Sequence, residues 1–259
     1  MGYRSIAAPR LKTFMKTVGI VGGIGPESTI EYYRFIIEGY RARQSGTGIR
    51  PVDSEAQDAP EASYPSIIIN SVDLSRLINW INAGELAPFT DYLVAEVERL
   101  ANAGADFAVL AANTAHIVFD QIRQRSRLPL ISIAETTYEK ARELGLQRLG
   151  LLGTRFTMEG KFYPEVFARG GLTIVTPNET ERTLVNEKYF GELLKNVFRP
   201  ETRDQLLGII NEMKQRDGID GLILGGTELP LILRGAECDL PFLDTTLIHV
   251  ARIIDELLS

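Results

Sequence analysis

An apolar strand that ends in a loop of small and polar residues occurs twice in this chain. The first copy spans residues 107–116, FAVLAANTAH, and the second spans residues 221–230, GLILGGTELP. Their lead-ins also match, because Gly104-Ala105-Asp106 precedes the first copy and Gly218-Ile219-Asp220 precedes the second. Such a repeat predicts two related halves. Their buried parallel strands should present their carboxyl ends to one shared cleft, where open α/β sheets usually bind ligands.

The charge and the cysteine content exclude several classes of function. The 259 residues carry a formal net charge of −6, which argues against nucleic acid or an anionic membrane as the partner, because both need a basic face. No apolar run approaches the roughly 20 residues of a membrane span. The single cysteine, Cys238, excludes internal disulfides and a thiolate metal cluster. We therefore expect a cytoplasmic protein with a small-molecule partner.

The first 15 residues lack the pattern of a folded element. Arg4, Arg10 and Lys12 are not accompanied by a long apolar core, so a secretory signal is not expected. We interpret residues 1–15 as an extension, a tag or the segment upstream of a second start at Met15. The alternative interpretation is an organelle transit peptide.

A glycine-rich loop follows the first predicted strand, residues 17–21. Residues 22–29 read GGIGPEST, in which Pro26 and Glu27 suit the first turn of a helix. The spacing departs from the GxGxxG pattern of dinucleotide sites, and no clear acidic partner follows on a second strand. We therefore expect a carboxylate or phosphate near this loop, in contact with Gly25, rather than a nucleotide.

Strands and helices alternate along the whole chain, which predicts the α/β fold class with helices on both faces of parallel sheets. We expect two pseudo-symmetric, doubly wound parallel-sheet domains with the active-site cleft between them. The first lobe should comprise residues 16–130 plus 241–259, and the second lobe residues 131–240. Residues Gln44 to Ser63 are rich in Gly, Pro, Asp, Ser and Glu, which predicts a long loop.

Two further strand ends carry polar residues. Asn70, Ser71 and Asp73 lie at the level expected for a ligand, although Asp73 could equally cap the next helix. Gly153-Thr154-Arg155 follows the strand that opens the second half, and it offers a hydroxyl, backbone donors and a guanidinium to a carboxylate. The alternative interpretation of this second motif is a helix cap with a surface arginine.

Four motifs together resemble the cofactor-independent aspartate/glutamate racemase family. They are residues 19–29, similar to its first loop; Asn113-Thr114-Ala115-His116, similar to its first catalytic loop; residues 153–159, similar to a substrate-binding stretch of one bacterial branch; and Thr227-Glu228, similar to its second catalytic loop. The resemblance covers Met15 to Ser259. It implies an isomerase fold with the site between two lobes, no pyridoxal phosphate, and a homodimer.

The chemistry that the resemblance implies uses two cysteines on opposite sides of the substrate α-carbon, one taking the proton and the other returning it. These cysteines fall at Ala112 and Gly226 here, and neither residue can carry a proton. Three explanations stay open. The protein is an inactive relative, natural or engineered, that still binds an acidic amino acid; another group among Glu228, His116 and Asp73 serves as the base; or the cleft runs a lyase, isomerase or hydrolase reaction on a related diacid.

His116 has the best intrinsic pKa among these candidate bases, but its alternative role is to orient the loop or to support a missing thiol. Glu228 needs a raised pKa to act as a base, which requires a dry cleft. His249, on the closing helix, is interpreted as a packing or surface residue.

The donors at the strand ends suit two carboxylates. The expected substrate-binding residues are Gly25, Asn70, Ser71, Asn113, Thr114, Thr154, Arg155, Thr157 and Thr227. No HxxxH, CxxC or clustered carboxylate pattern argues for a metal, so neither a metal nor another cofactor is expected, although motifs alone do not exclude a pyridoxal lysine. We therefore expect a racemase-family enzyme that binds a small acidic amino acid or dicarboxylate. The alternative from another class is a ligand-binding protein that has lost proton transfer.

Overall fold

The computed structural model of the protein describes residues 15–23, 25–45, 64–72 and 74–259. The predicted extension lies outside the described residues except for Met15. The predicted loop from Gln44 to Ser63 also lies outside them, except for its first two residues, which end a helix. Asp73, one of the candidate bases, lies outside them as well.

Four parallel strands form the first sheet. They are β1 (Thr17–Val21), β2 (Ser66–Asn70), β3 (Phe107–Leu110) and β4 (Leu130–Ile131). Their order across the sheet is β2-β1-β3-β4. The central strands β1 and β3 are buried almost throughout, which explains why neither contains a polar side chain after Thr17.

The second sheet repeats this plan. It consists of β5 (Arg148–Gly153), β6 (Thr173–Val175), β7 (Gly221–Gly225) and β8 (Phe242–Asp244), in the order β6-β5-β7-β8 and again parallel. The strand β7 holds the position in this sheet that β3 holds in the first. The predicted α/β fold with two related parallel sheets is therefore confirmed.

Helices cover both faces of each sheet. They are α1 (Pro26–Ser45), α2 (Leu74–Asn82), α3 (Leu86–Asn102), α4 (Phe119–Arg125), α5 (Ile133–Glu143), α6 (Arg155–Glu159), α7 (Phe162–Ala168), α8 (Glu179–Gly191), α9 (Pro200–Asp217), α10 (Glu228–Ile232) and α11 (Thr245–Leu257), with 3₁₀ turns at Thr114–Val118 and Leu193–Lys195. Along β7, Leu222 and Leu224 pack in the cluster that contains α8 and α9, whereas Ile223 packs with α5 and α7. This alternation follows from the two-residue period of a strand.

Two short helical segments adjoin the motifs of the sequence. His116 lies in a 3₁₀ turn that continues as α4 to Arg125. The helix α7 contains Pro164. Proline is tolerated there because it falls in the first turn, where its missing N–H has no helical partner.

The strand pairing differs from the predicted lobe limits at two points. Ile131, expected in the second lobe, pairs as part of β4 in the first sheet. The hydrogen bonds place β8 in the second sheet, although residues 241–259 were expected in the first lobe. The helix α11, which follows β8 directly, packs against both α1 and α5. We propose the same two lobes with Ile131 assigned to the first and residues 242–244 to the second. None of the described helices is long and apolar enough to cross a membrane.

The matched lead-ins perform the same structural task in both lobes. Asp106 accepts a hydrogen bond of 2.7 Å from the backbone N–H of Thr17, at the start of β1. Asp220 accepts two, of 2.7 Å from Gln147 and 3.0 Å from Arg148, at the start of β5. Each aspartate thus fixes the start of the strand that neighbours its own. The repeated lead-in in the sequence therefore corresponds to a repeated contact in the structure, between an aspartate and the start of the neighbouring strand.

We predict that replacing these aspartates destabilises the fold unequally. Asp220→Ala should lower the free energy of unfolding by about 2 kcal/mol and Asp106→Ala by about 1 kcal/mol, because the first removes two hydrogen bonds to a charged acceptor and the second removes one. Urea-induced unfolding measures both. Glu139→Ala, on the exposed side of α5, is the control and should change stability by less than about 0.5 kcal/mol. Equal effects at the two aspartates would contradict the assignment.

Candidate functional site

The carboxyl ends of β3 and β7 meet at one cavity of about 40 Å³ between the lobes. The predicted site residues that line it are Gly25, Ala112, Asn113, Thr114, Thr154, Gly226, Thr227 and Glu228. Residues that were not predicted, among them Ser28, Tyr32 and Tyr189, complete the lining. A cavity of this size holds a few water molecules, so it must widen to admit an amino acid.

Hydroxyl groups from the two lobes meet at this cavity. The side-chain oxygens of Ser28 and Thr227 lie 3.1 Å apart, and those of Thr114 and Thr154 lie 3.3 Å apart. All four residues are more than nine-tenths buried. Each pair therefore joins the first lobe to the second in an environment where water competes little for the hydrogen bond.

Asn113 is held by side chains from two other elements. Its Nδ2 donates to Thr245 Oγ1 at 3.2 Å, and its Oδ1 accepts from the hydroxyl of Tyr163 at 2.7 Å. Thr245 in turn donates to the carbonyl oxygen of Leu224, within β7, at 2.9 Å. This chain of hydrogen bonds fixes the orientation of the amide at the cavity.

His116 is held as a neutral imidazole. Its Nδ1 lies 2.9 Å from the carbonyl oxygen of Ala112, and its Nε2 accepts from the backbone N–H of Ile133 at 3.1 Å. A carbonyl oxygen only accepts, so Nδ1 carries the proton. Burial lowers the pKa of His116 from 6.5 to about 4. Because backbone groups occupy both nitrogens, this geometry favours loop orientation over a role as base.

His249 is held in the same way, in the tautomer with the proton on Nε2. That atom lies 3.1 Å from the carbonyl oxygen of Ile131, and Nδ1 lies 2.8 Å from the hydroxyl of Tyr32, which therefore donates to it. Burial lowers the pKa of His249 from 6.5 to about 3, and the nearby His116 acts in the same direction. His249 is fully buried, so of the two interpretations, packing or surface, the structure favours packing.

Tyr189 fills the space that a side chain at position 226 would need. A Cβ atom on Gly226 would lie 1.8 Å from the hydroxyl oxygen of Tyr189 and 2.8 Å from the ring carbon that bears it. Both separations are far shorter than the roughly 3.5–4.0 Å at which non-bonded carbon atoms attract. Glycine is therefore required at position 226 as long as the Tyr189 ring keeps its place.

The same hydroxyl donates a short hydrogen bond to Oε2 of Glu228. Tyr189 and Glu228 are each only 3% exposed, and both line the cavity. Burial, together with the negative charge of Glu228, raises the pKa of Tyr189 well above its ordinary value. The phenol therefore stays protonated at neutral pH and supplies the buried carboxylate with a donor.

No sequence signal pointed to Tyr189. Along α8 it shares a helical face with Val185, and both pack in the core of the second lobe. That spacing predicts a core position and nothing more. The contact with Gly226 joins α8 to the loop after β7, and only the folded chain reveals it.

Two predicted binding residues of the first lobe lie away from the cavity lining. Asn70 donates to Oε2 of Glu96 at 2.5 Å, so its amide faces α3. Ser71 is exposed. Glu96 is 1% exposed and also pairs with Arg99. The amide of Asn70 therefore donates its hydrogen bond to a buried carboxylate in this structure.

Two predicted binding residues of the second lobe also do not line the cavity. The Arg155 side chain donates to Thr183 Oγ1 at 3.0 Å, on α8. Thr157 is fully buried, and its backbone N–H donates to the Thr154 hydroxyl at 3.3 Å. Thr154 thus caps α6, which favours the alternative interpretation of this motif as a helix cap followed by an arginine that points elsewhere.

The cavity lining supplies neutral donors. Among the described residues that line it, none is a lysine or an arginine. Burial raises the pKa of Glu31; the charge of Arg34 opposes this shift, and those of Asp244 and Glu228 add to it. Burial also raises the pKa of Asp244. The lining thus includes the carboxyl group of Glu228 and no described cation, which favours a protonated amino group on a ligand more than it favours a second carboxylate.

A larger cavity, of about 520 Å³, is lined by His116 together with Phe156, Phe162 and Glu135 among others. It contains no other predicted site residue and none of the residues directly after β3 and β7. We therefore place the site at the smaller cavity, where the strand ends converge.

No group of three or more His, Cys, Asp or Glu side chains in the described part of the chain is arranged to hold a metal ion. Cys238 packs against the core of the second lobe and is not part of the cavity lining. This thiol therefore lies away from the strand ends that meet at the cavity.

A sequence model of the Asp/Glu/Hydantoin racemase family matches residues 21–253. The chain belongs to this family. A curated relative is the broad specificity amino-acid racemase RacX of Bacillus subtilis, 21% identical over 234 residues, which are 88% of this chain and 92% of the relative. The glutamate racemase of Actinobacillus pleuropneumoniae is 27% identical over 139 residues, 52% of this chain and 50% of that protein.

Solved structures of this racemase family share the fold. An Asp/Glu racemase candidate from Yersinia pestis has 31% sequence identity and a TM-score of 0.80, over 95% of this chain and 100% of that one. An aspartate racemase homologue from Pyrococcus horikoshii has 29% identity and a TM-score of 0.76, over the same shares. The predicted resemblance to the family is therefore confirmed.

We predict that Gly226→Ala destabilises the protein by about 1–3 kcal/mol, because the methyl group overlaps the Tyr189 hydroxyl. In a Tyr189→Leu background the same change should cost much less, since leucine lacks the overlapping atoms. Urea unfolding of the four proteins gives the coupling energy. The matched control is Gly208→Ala in α9, where an added Cβ meets nothing within 4 Å. A coupling near zero would contradict the steric assignment.

We predict that stability falls as the pH drops from 7 to 5. The pKa values of His116 and His249 lie at about 4 and about 3 in the folded protein, against about 6.5 when unfolded. Below pH 6.5 the unfolded chain thus binds more protons than the folded chain. Between pH 7 and pH 5 the two histidines together lower the free energy of unfolding by about 2–4 kcal/mol. The raised pKa values of Glu31 and Asp244 reduce this loss of stability. Urea midpoints at pH 7, 6 and 5 measure it, and a flat profile would mean that both imidazoles take up a proton in the folded state as readily as in the unfolded chain.

Proposed function

We propose that this chain binds a small acidic amino acid or a dicarboxylate in the cavity between its lobes, and that proton transfer by two thiols is lost. The observation that carries the proposal is the position of Ala112 and Gly226 in one cavity lining, beside Asn113 and Thr227. A methyl group and a hydrogen atom cannot take up an α-proton. The cavity therefore offers hydrogen-bond donors, and none of its described lining residues is a cysteine.

The relatives support an amino acid as the ligand class. RacX is a broad specificity amino-acid racemase, and the Pyrococcus horikoshii protein is an aspartate racemase homologue. The neutral donors and the nearby acidic side chains offer less support for a second carboxylate, because no described lysine or arginine lines the cavity. A neutral amino acid such as L-serine therefore belongs in every binding test.

A second candidate function is a lyase or isomerase that uses Glu228 or His116 as its base. Glu228 is the better supported of the two, because it lines the cavity and is almost fully buried. Both nitrogens of His116 are engaged by backbone groups. The remaining alternative is a catalytically inactive binding protein.

We also propose that the protein is a cytoplasmic homodimer that works without pyridoxal phosphate. The dimer and the independence of pyridoxal phosphate rest on the family alone, and the cytoplasmic location rests on the single cysteine. Analytical ultracentrifugation tests the dimer, and the absence of a pyridoxal absorption band in purified, active protein tests the third property.

We predict that L-aspartate or L-glutamate raises the thermal midpoint of the protein in a saturable manner. At a ligand concentration of about 100 times Kd, binding adds about 2.7 kcal/mol of stability. Thr227→Val should weaken this binding about fivefold, because one neutral hydrogen bond is worth about 1 kcal/mol. Calorimetric titration gives the Kd values.

Thr173→Val is the matched control, since Thr173 is exposed on β6. It should leave the Kd unchanged. Following the α-proton of the same ligands by NMR in D2O separates an enzyme from a binding protein. A lack of any thermal shift with either acidic amino acid, at millimolar concentration, would contradict the proposed ligand class, and a shift with L-serine alone would replace it.

A further inference from the structure

We propose that Tyr189 and Glu228 form a proton relay in the place of the missing second thiol, so that the site exchanges the α-proton of its ligand on the Gly226 face only. This inference rests on the proposed function, because the relay needs an amino acid in the cavity. It goes further by naming the group that moves the proton and the face on which it acts.

The position of the phenol carries the proposal. The Tyr189 hydroxyl lies 1.8 Å from the point that a Cβ atom at position 226 would occupy. The family's second cysteine would start from that same point. A group that can carry a proton thus lies within about one bond length of the Cβ position from which the thiol sulfur of a cysteine would extend. Tyr189 also lines the cavity and is 3% exposed.

Glu228 allows the Tyr189 phenol to take part in proton transfer. A phenolate next to a buried carboxylate is strongly disfavoured, because like charges repel in a medium of low polarity. The short hydrogen bond from the Tyr189 hydroxyl to Glu228 Oε2 offers another route. The phenol can release its own proton to the carboxylate while it takes up a proton on its oxygen, and it remains neutral throughout.

The step balances without a further reactant. The Cα–H bond of the ligand breaks and its electron pair stays on the α-carbon, delocalised into the adjacent carboxylate. The proton forms a new O–H bond with Tyr189, and the original phenol proton passes to Glu228, which becomes a neutral carboxylic acid. The reverse movement returns a proton to the α-carbon from the same side.

The Ala112 face offers no equivalent relay. The other tyrosine that lines the cavity, Tyr32, donates to Nδ1 of His249. That imidazole is a poor proton acceptor, because it is fully buried and its Nε2–H already faces the carbonyl oxygen of Ile131. Proton removal and return on one face exchange hydrogen for deuterium but do not invert the centre. Only the enantiomer whose α-hydrogen points to Gly226 should exchange.

The experiment follows the α-proton of L- and D-aspartate and of L- and D-glutamate by NMR in D2O, with chiral chromatography of the same samples. We expect exchange in one enantiomer without racemisation. Tyr189→Phe and Glu228→Gln should each lower the exchange rate by about 100-fold or more. Thermal-shift titration should show binding of the same ligand within a few-fold of the unchanged protein. Tyr138→Phe on α5, which is not part of the cavity lining, is the matched control.

Glu228→Gln guards against a purely structural effect, because the amide oxygen still accepts the hydrogen bond from Tyr189 but does not take up its proton. A rescue variant tests the position itself. Tyr189→Leu combined with Gly226→Cys places a thiol in the vacated space and should restore exchange of the same enantiomer. Its rate should rise with pH as the thiolate forms, around a pKa of about 8.5.

Each outcome decides a different claim. Absence of binding overturns the proposed function and this inference together. Binding without exchange in the unchanged protein overturns the relay alone. If exchange persists in the folded Tyr189→Phe and Glu228→Gln variants, another group moves the proton. The same conclusion follows if exchange is lost in Tyr32→Phe but persists in Tyr189→Phe. Exchange with inversion overturns the single face.

Discussion

The site depends on hydroxyl contacts that hold the ends of two parallel sheets against each other. Ser28 meets Thr227, and Thr114 meets Thr154, each pair across the boundary between the lobes. Because these residues are buried, the hydrogen bonds are not exchanged for water while the lobes stay together. The cavity, the amide of Asn113 and the placement of positions 112 and 226 all follow from this closure. A ligand that enters must replace part of these contacts with its own.

The sequence predicted the architecture well because local sequence patterns determine the strands and their order. Two apolar strands with the same Gly-x-Asp lead-in identified the repeat, and Asp106 and Asp220 make equivalent contacts in the two lobes. Fully buried central strands leave runs such as residues 107–110 unbroken by polar residues. Such runs and the small residues after them mark the strand ends where the cavity lies.

The chemistry of the site was less predictable, because it depends on contacts between distant segments. His116 has a suitable intrinsic pKa, but burial and two backbone partners decide its protonation state, and neither is visible in a sequence. Arg155 was expected to receive a carboxylate, but it follows a helix cap and its guanidinium is bound by α8. Tyr189 carries no motif, since its importance comes from its contacts with Gly226 and Glu228, which are distant in the sequence.

The contact between Tyr189 and Gly226 also constrains how this chain can change over evolutionary time. A cysteine codon at position 226 introduces a side chain into occupied space, so the substitution is selected against while the ring is present. The tyrosine must be lost first, and that intermediate leaves the buried Glu228 without its donor. A direct mutational path to a thiol at position 226 therefore crosses a less stable protein, which makes that substitution difficult to acquire.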